Sequence, residues 1–430
     1  MEKFIVNGGK PLNGTIDVSG MKNAALPIIF GCLLTEDKCV IENLPVINDV
    51  ATSLEILKQM GFGIKMLGKN SVEIDSTHAV GGSSPAEMVR KMRASYYLMG
   101  AELGRYKKAY VAYPGGCDFG VRPIDQHIKG FEALGANVTI ESGGFININA
   151  ENGLKGANIF FDVNTVGGTM NVILAAVKAE GTTVIENAAR EPHIVDLANF
   201  LNTCGAKIRG AGTDTIRITG VEKLHGCTYA IIPDMIEAGT YMIAAAATGG
   251  TLKITNVIPK HLESISAKLE EMGVTVEEND DYIIVTANSP LNRVNVKTLP
   301  YPGFPTDMQP QMCVLMCLAE GVSYLNEGIF DNRFRYVEEL KRMGASIKVD
   351  GKTAIIEGGI PFHAAPVRAV DLRAGAAMVI AGLAANGRTE IEEIGHIERG
   401  YDDLVGKLRN VGADIKKVYV PDAAYFEHAN

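Results

Sequence analysis

The sequence predicts an α/β protein built as two inside-out domains, each made of three copies of one unit. Two observations carry this prediction. A stretch of the form Leu/Phe-x-x-apolar-Gly-x-x-Ile/Val recurs six times, ending on Gly61, Gly135, Gly205, Gly273, Gly344 and Gly412, which lie 74, 70, 68, 71 and 68 residues apart. Each copy also holds a stretch that is apolar on nearly every helical face. A fixed period means one supersecondary unit repeated, so equivalent positions can be compared copy by copy.

The apolar stretches begin near Met21-Lys22-Asn23, Arg93-Ala-Ser-Tyr-Tyr, Gly167-Gly-Thr-Met, Ile236-Glu-Ala-Gly, Asp307-Met-Gln-Pro and Arg373-Ala-Gly-Ala. A helix without a polar face must be buried. Its Ala and Gly residues allow close helix-to-helix approach. A strand follows each, as in Thr182-Thr-Val-Ile-Glu-Asn and Thr251-Leu-Lys-Ile-Thr-Asn. A loop and a two-sided helix come next, the latter stopping at the repeat glycine as a C-cap. Three units packing their apolar helices together place the sheets outside, the inverse of a barrel whose strands form the centre.

A chain of 430 residues is too long for one ordinary core, and six copies divide into three plus three. Composition is that of a soluble globular protein, 47% apolar and 21% charged, and no apolar run approaches the ~20 residues needed to span a bilayer. The first residues carry no signal-peptide core. Seven cysteines, odd in number and without CxxC spacing, suit a reducing cytoplasm and argue against a disulfide framework. Cys313 and Cys317 read as buried packing. A net charge of −9 counts against nucleic acid, but a local basic focus can still hold a small anion.

Such a focus is expected where the apolar helices begin. Helix N-termini favour anions, and Lys22 with Asn23, Arg93, Thr165 to Gly168, Asp234, Asp307 and Arg373 stand there. These beginnings are expected to lack caps, lysine being a poor one. The loops before the two-sided helices carry Cys117 with Arg122, Arg190, Lys260, Arg333 with Arg335, and Arg399. They read either as solvated loop charge or as an anion site where two sets of loops converge.

Pro114-Gly-Gly-Cys-Asp-Phe-Gly-Val-Arg-Pro123 is the most unusual segment. Its glycines allow close backbone approach to a ligand and closure as a lid. A thiol of ordinary pKa, about 8.5, is an acid at neutral pH; a nearby arginine makes it more nucleophilic, while Asp118 opposes that. An incidental thiol in a structural loop is the alternative. Asp307, after Phe304-Pro-Thr, is either an N-cap or a general base. Asp371-Leu-Arg373 is an ion pair or an anion clamp, and Glu191, His193 and His396 are ligands or structural residues. No HExxH, GxxxxGK[ST] or strand-linked GxGxxG occurs, so no metal, nucleoside triphosphate or dinucleotide site and no cofactor is expected.

In order along the chain, Ser19-Gly-Met-Lys-Asn-Ala-Ala-Leu-Pro27, Met92-Arg-Ala-Ser95, Pro114-Gly-Gly-Cys117 with Arg122-Pro123, Glu186-Asn-Ala-Ala-Arg-Glu-Pro192, Phe304-Pro-Thr-Asp-Met308, Asn332-Arg-Phe334, Asp371-Leu-Arg373 and Arg399-Gly-Tyr401 resemble the enolpyruvyl transferase family. The resemblance implies two inside-out α/β barrel domains, 1–20 plus 230–430 and 21–229, the latter carrying the Cys117 loop. It implies transfer of the enolpyruvyl group of phosphoenolpyruvate to the 3′-hydroxyl of UDP-N-acetylglucosamine, the first committed step of peptidoglycan precursor synthesis. By the same resemblance Cys117 is the acid, also bearing a covalent adduct, and Asp307 is the base. Lys22, Asn23, Cys117, Arg122, Arg333, Arg373 and Arg399 meet phosphoenolpyruvate, Lys22 and Arg399 also counting among the catalytic residues. Asn23, Arg93, Arg122, Pro123, Ile124, Asp125, Gln126, Thr165, Val166, Gly167, Asp307 and Ile329 meet the nucleotide sugar. Closure of the domains would exclude water, and Cys117 would be alkylated by fosfomycin. Where some members carry lysine before Thr165 this chain has Val163, and Tyr97 stands where some have tryptophan. Shikimate-phosphate transfer, an idle nucleotide-sugar-binding paralogue and a purely structural repeat are the competing readings.

Overall fold

The computed structural model describes residues 2–80, 84–113, 123–288 and 290–419. The chain forms two compact units, Ser19–Pro233 and Met1–Val18 with Asp234–Asn430. The six apolar stretches are helices at Lys22–Gly31, Tyr97–Tyr106, Val166–Ala176, Met235–Thr248, Gln309–Leu318 and Leu372–Ala384, buried along nearly their whole length. In the carboxy-terminal unit the last three pack against one another pairwise. In the amino-terminal unit Tyr97–Tyr106 packs on both Lys22–Gly31 and Val166–Ala176.

Small residues set the depth of this packing. A Cβ on Gly104 would lie 2.7 Å from the Leu174 carbonyl oxygen and 2.8 Å from Leu34 Cδ2. One turn earlier, a Cβ on Gly100 would collide with the Asn171 carbonyl oxygen. Asn171 turns that proximity into a bond, its Oδ1 accepting from the Gly100 N–H at 2.9 Å.

The two-sided helices bury one stripe each, as Asp49, Val50, Ser53, Ile56 and Leu57 do in Asn48–Gln59. Every one of the six ends on its repeat glycine in the left-handed region, with φ between +87° and +99°. A side chain is disfavoured there, which is why glycine recurs at the C′ position.

Among the described residues the strands form six separate sheets, three per unit, five of four strands and one of three. None closes on itself, so each "barrel" is a bundle of helices faced by open sheets. Strands such as Thr251–Thr255 alternate buried and outward residues, as a sheet with one face on a core must. The start of the chain joins the far unit: Glu2–Asn7 pairs antiparallel with Arg388–Glu392 and Asp414–Tyr419, and Asn13–Asp17 lies parallel to Thr251–Thr255. In the other unit Thr228–Ala230 returns parallel to Lys38–Glu42.

A second periodic device emerges after the first long strand of each copy. Asn43, Asn187 and Asn256 occupy this position with φ near +55°. Their side-chain amides donate to the carbonyls of Ile231, Phe161 and Val18 at 2.8, 2.8 and 2.6 Å. Each ties a strand end to a segment that leads into an apolar helix.

Gly104→Ala separates close packing from helix propensity. An alanine in open helix is worth about 1 kcal/mol over glycine, whereas overpacking costs about 1–3 kcal/mol. Urea unfolding is expected to show a less stable variant; a stabilised one would contradict the close approach.

Candidate active site

Each unit holds its own constellation of candidate residues. In the carboxy-terminal unit the core helix Gln309–Leu318 is entered through a 3₁₀ turn, Thr306–Met308, and Asp307 does not cap it. Its carboxylate is held from the side instead. Arg373 presents Nε at 3.2 Å and Nη2 at 3.1 Å to Oδ2, and Arg333 brings Nη2 to 3.5 Å from Oδ1. Both arginine side chains are almost wholly buried, while the aspartate side chain keeps 28% of its surface. Burial alone pushes the Arg373 guanidinium down, but Asp307 and then Tyr401 draw its pKa above the ordinary arginine value. A buried cation needs such a partner, since an uncompensated charge costs several kcal/mol. The carboxylate is thus held on two sides by guanidinium groups and still reachable.

The same region shows how Asp371 and Arg373 are used. Asp371 does not pair with the guanidinium of Arg373. It caps its helix, Oδ1 accepting from the N–H groups of Arg373 and Ala374 at 2.8 and 2.9 Å. Asp234 caps Met235–Thr248 likewise, and Thr165 caps Val166–Ala176 through Gly168 N–H at 3.1 Å. The expectation of uncapped core helices is therefore corrected in three copies of six. An apolar helix start within a protein still has orphan N–H groups, and a short polar side chain satisfies them locally.

Glu327 is a residue that sequence reasoning missed. It occupies the post-strand position that is asparagine in three other copies. Fully buried, it accepts from Thr306 Oγ1 at 3.1 Å and from the N–H groups of Ile329 and Phe330 at 2.8 and 3.1 Å. One carboxylate thus joins the residue before Asp307 to the loop carrying Ile329, which is 38% exposed. The departure from asparagine at an equivalent position was the available signal.

Arg399 is partly buried at the end of the short helix Gly395–Glu398. Two residues on, the buried Tyr401 hydroxyl meets Thr240 Oγ1 at 3.0 Å and Gln311 Nε2 at 3.3 Å, with the Arg373 guanidinium 5.4 Å from its ring centre. The loop is thereby anchored to two core helices. Arg190 and Lys260 fit the plainer reading of loop charge, pairing with Asp214 at 3.5 Å and Glu263 at 2.5 Å. His193 is buried within its helix, and His396 stands 3.9 Å from Glu393.

In the amino-terminal unit Lys22 opens its helix, buried, with Nζ 2.7 Å from Asp49 Oδ2. Asn23 beside it is partly exposed. Cys117 and Arg122 lie outside the described residues. A second cluster gathers three helix starts. Arg93 lies over the Tyr96 ring at 5.6 Å. Pro123 is exposed, Ile124 is buried, and Asp125 opens the helix Asp125–Ala133. Gln126 donates to Asp125 at 2.8 Å and to Asp162 at 3.1 Å, and accepts from the Asp162 N–H at 3.0 Å. Thr165, Val166 and Gly167 stand at the third start, partly exposed, and Val163 just before them is 58% exposed.

His127 and Asn171 hold this cluster together. Asn171 Nδ2 lies 3.0 Å from His127 Nδ1, while its Oδ1 binds Gly100, so one side chain joins three helices. A Cβ on Gly167 would lie 2.7 Å from the Tyr96 hydroxyl and 2.9 Å from the His127 ring, so the glycine there is required by space. Burial, then the charge of Arg93, pushes the His127 pKa down to about 3. The neutral ring can therefore lie close to Arg93 without repulsion.

Buried helices whose starts present basic and acidic groups in both units define a class, and comparison with known proteins identifies it. The profile of EPSP synthase (3-phosphoshikimate 1-carboxyvinyltransferase) matches residues 6–408, and the chain belongs to that family. Within it, the chain is 59% identical to UDP-N-acetylglucosamine 1-carboxyvinyltransferase 3 of Caldanaerobacter subterraneus subsp. tengcongensis, over 97% of this chain and 100% of the relative. It is 57% identical to UDP-N-acetylglucosamine 1-carboxyvinyltransferase of Clostridium botulinum, over 97% and 100%. Among solved structures it resembles the enolpyruvyl transferase NikO from Streptomyces tendae, with TM-score 0.87, 27% identity and coverage of 98% and 99%. EPSP synthase from Acinetobacter baumannii shares the fold, with TM-score 0.75 at 20% identity over 97% and 100%.

The low pKa of His127 has a stability consequence. Unfolded histidine titrates near 6.5, so between about pH 6.5 and 3 the unfolded chain takes up a proton that the folded chain refuses. Stability is lost as pH falls through this window, by up to roughly 1.4 kcal/mol per unit from this one group. Urea unfolding at pH 7 and pH 5 is expected to show a smaller loss for His127→Gln than for the unaltered chain. Equal losses would contradict a buried neutral imidazole.

Proposed function

We propose that this chain transfers the enolpyruvyl group of phosphoenolpyruvate to the 3′-hydroxyl of UDP-N-acetylglucosamine and releases inorganic phosphate, the first committed step of peptidoglycan precursor synthesis in the cytoplasm. The observation that carries the reading is Asp307, paired with two buried guanidiniums, in a chain 59% identical over 97% of its length to a relative named for this transfer. In the addition step the sugar oxygen bonds to C2 of phosphoenolpyruvate while C3 takes a proton. In the elimination step C3 gives up a proton and the C2–O bond to phosphate breaks, restoring the double bond.

Asp307 takes the proton of the acceptor hydroxyl, and Cys117 supplies the proton to C3. Lys22, Arg122 and Arg399, with Asn23, Arg333 and Arg373 beside them, meet the phosphate and carboxylate. Cations there stabilise the charge that grows on the leaving phosphate. Asn23, Arg93, Arg122, Pro123, Ile124, Asp125, Gln126, Thr165, Val166, Gly167, Asp307 and Ile329 receive the nucleotide sugar. Val163 presents an apolar side chain where some family members place lysine, which removes one cation from the nucleotide side. The Cys117 thiol is the group that fosfomycin would alkylate. The substrates are small molecules, and no helix among the described residues is long and apolar enough to cross a membrane.

The family profile also describes transfer to shikimate 3-phosphate. Phosphate release from phosphoenolpyruvate, measured with each acceptor separately, distinguishes the two. Release is expected with UDP-N-acetylglucosamine and not with shikimate 3-phosphate. The reverse pattern would overturn the proposed acceptor, and no release with either would favour an idle paralogue.

A further inference from the structure

Three cysteines far apart in the sequence meet in the amino-terminal unit, none of them among the residues proposed for transfer. Cys39 is on the strand Lys38–Glu42, Cys204 caps the helix Pro192–Thr203 just before its repeat glycine, and Cys227 precedes the strand Thr228–Ala230. Their sulfur atoms all lie within 4.8 Å of one another, and Cys204 Sγ is 3.4 Å from Cys227 Sγ. Cys39 and Cys204 are buried and Cys227 is partly exposed. Spacings of 165 and 23 residues hide this group from any motif search, which is why the sequence suggested neither a metal site nor a thiol cluster.

We infer that Cys39, Cys204 and Cys227 form a binding site for one soft thiophilic cation of the zinc(II) class. Zinc–thiolate bonds of about 2.3 Å at tetrahedral angles place sulfurs about 3.8 Å apart. The observed spacing brackets that value, so small side-chain rotations bring all three into reach. The three backbones are already fixed. Cys227 carbonyl accepts from the Val40 N–H at 2.8 Å, the strands of Cys39 and Cys227 pair in parallel, and Cys204 carbonyl accepts from the His225 N–H at 2.9 Å. Three thiols lose three protons on binding the cation. Partial exposure at Cys227 leaves room for a water as fourth ligand. The bound ion would staple the closing strand of the unit, Thr228–Ala230, to its first strand and to a repeat helix. It would therefore add stability by mass action, with no part in the transfer step.

The test uses the full chain, reduced and freed of metal, together with Cys117→Ser and Cys227→Ser. Each is loaded with zinc(II) alone, passed over a desalting column without chelator, and assayed for zinc per chain. Parallel samples take cobalt(II) alone, whose thiolate complexes absorb strongly in the near ultraviolet. The unaltered chain and Cys117→Ser are expected to retain one zinc per chain and to show the cobalt–thiolate band. Cys227→Ser is expected to bind at least about tenfold more weakly, to lack the band, and to keep its transferase activity. Zinc is also expected to shield Cys227 of the unaltered chain from a thiol-alkylating reagent, a readout that does not depend on the variant folding. No retained zinc, equal retention by a folded Cys227→Ser, or alkylation of Cys227 at the same rate with and without zinc would overturn the inference.

Discussion

An apolar helix with no polar face must be covered on every side, and this constraint organises both units. Helices cover one another most closely where glycine or alanine lets backbone meet backbone, as at Gly100 and Gly104 against Val166–Ala176. The remaining surface is closed by two-sided helices and by open sheets with one buried face. The repeat glycine follows from the same requirement. Each two-sided helix must stop and reverse within a few residues, and a left-handed φ at C′ accomplishes this at six equivalent places.

The candidate site residues stand where that constraint relaxes, at helix starts and the loops between. Three of the six core-helix starts carry a side-chain cap, from Thr165, Asp234 and Asp371. Arg373 begins a capped helix and is thereby rigid enough to hold Asp307. Glu327 shows how a repeat acquires function. Its position ties strand ends through a donating asparagine in three copies, but here an acceptor fixes the turn that bears Asp307. Asn171 serves the other unit comparably, joining three helix starts through Gly100 and His127.

Much of the fold was legible because its signals are local. Helix periodicity, a glycine stop and a fixed period need no knowledge of distant residues, so the six apolar helices and the glycines that stop the six two-sided helices were read directly. Open sheets in place of a closed barrel were not legible, since strand closure depends on registry between copies. At the site, Asp307 and Arg373 stood out as charged residues beside apolar helices, but their mutual bond did not, because 66 residues separate them. Glu327, Asn171 and Tyr401 were missed for the same reason, each resembling an ordinary residue until its partners are seen. Cys39, Cys204 and Cys227 are the extreme case, brought together only by strand pairing and a helix end.

Two buried guanidiniums give Asp307 its significance. They hold its carboxylate from two sides, and the proposed function gives it the proton of the acceptor hydroxyl. Asparagine at this position keeps the shape and removes the basicity. The most direct measurement is the single-turnover rate of enolpyruvyl transfer by Asp307→Asn, with calorimetric binding of UDP-N-acetylglucosamine measured alongside. A loss of about 10²- to 10⁴-fold in rate, with the nucleotide sugar still bound, is the result this account predicts. A rate within a few-fold of the unaltered chain would contradict it.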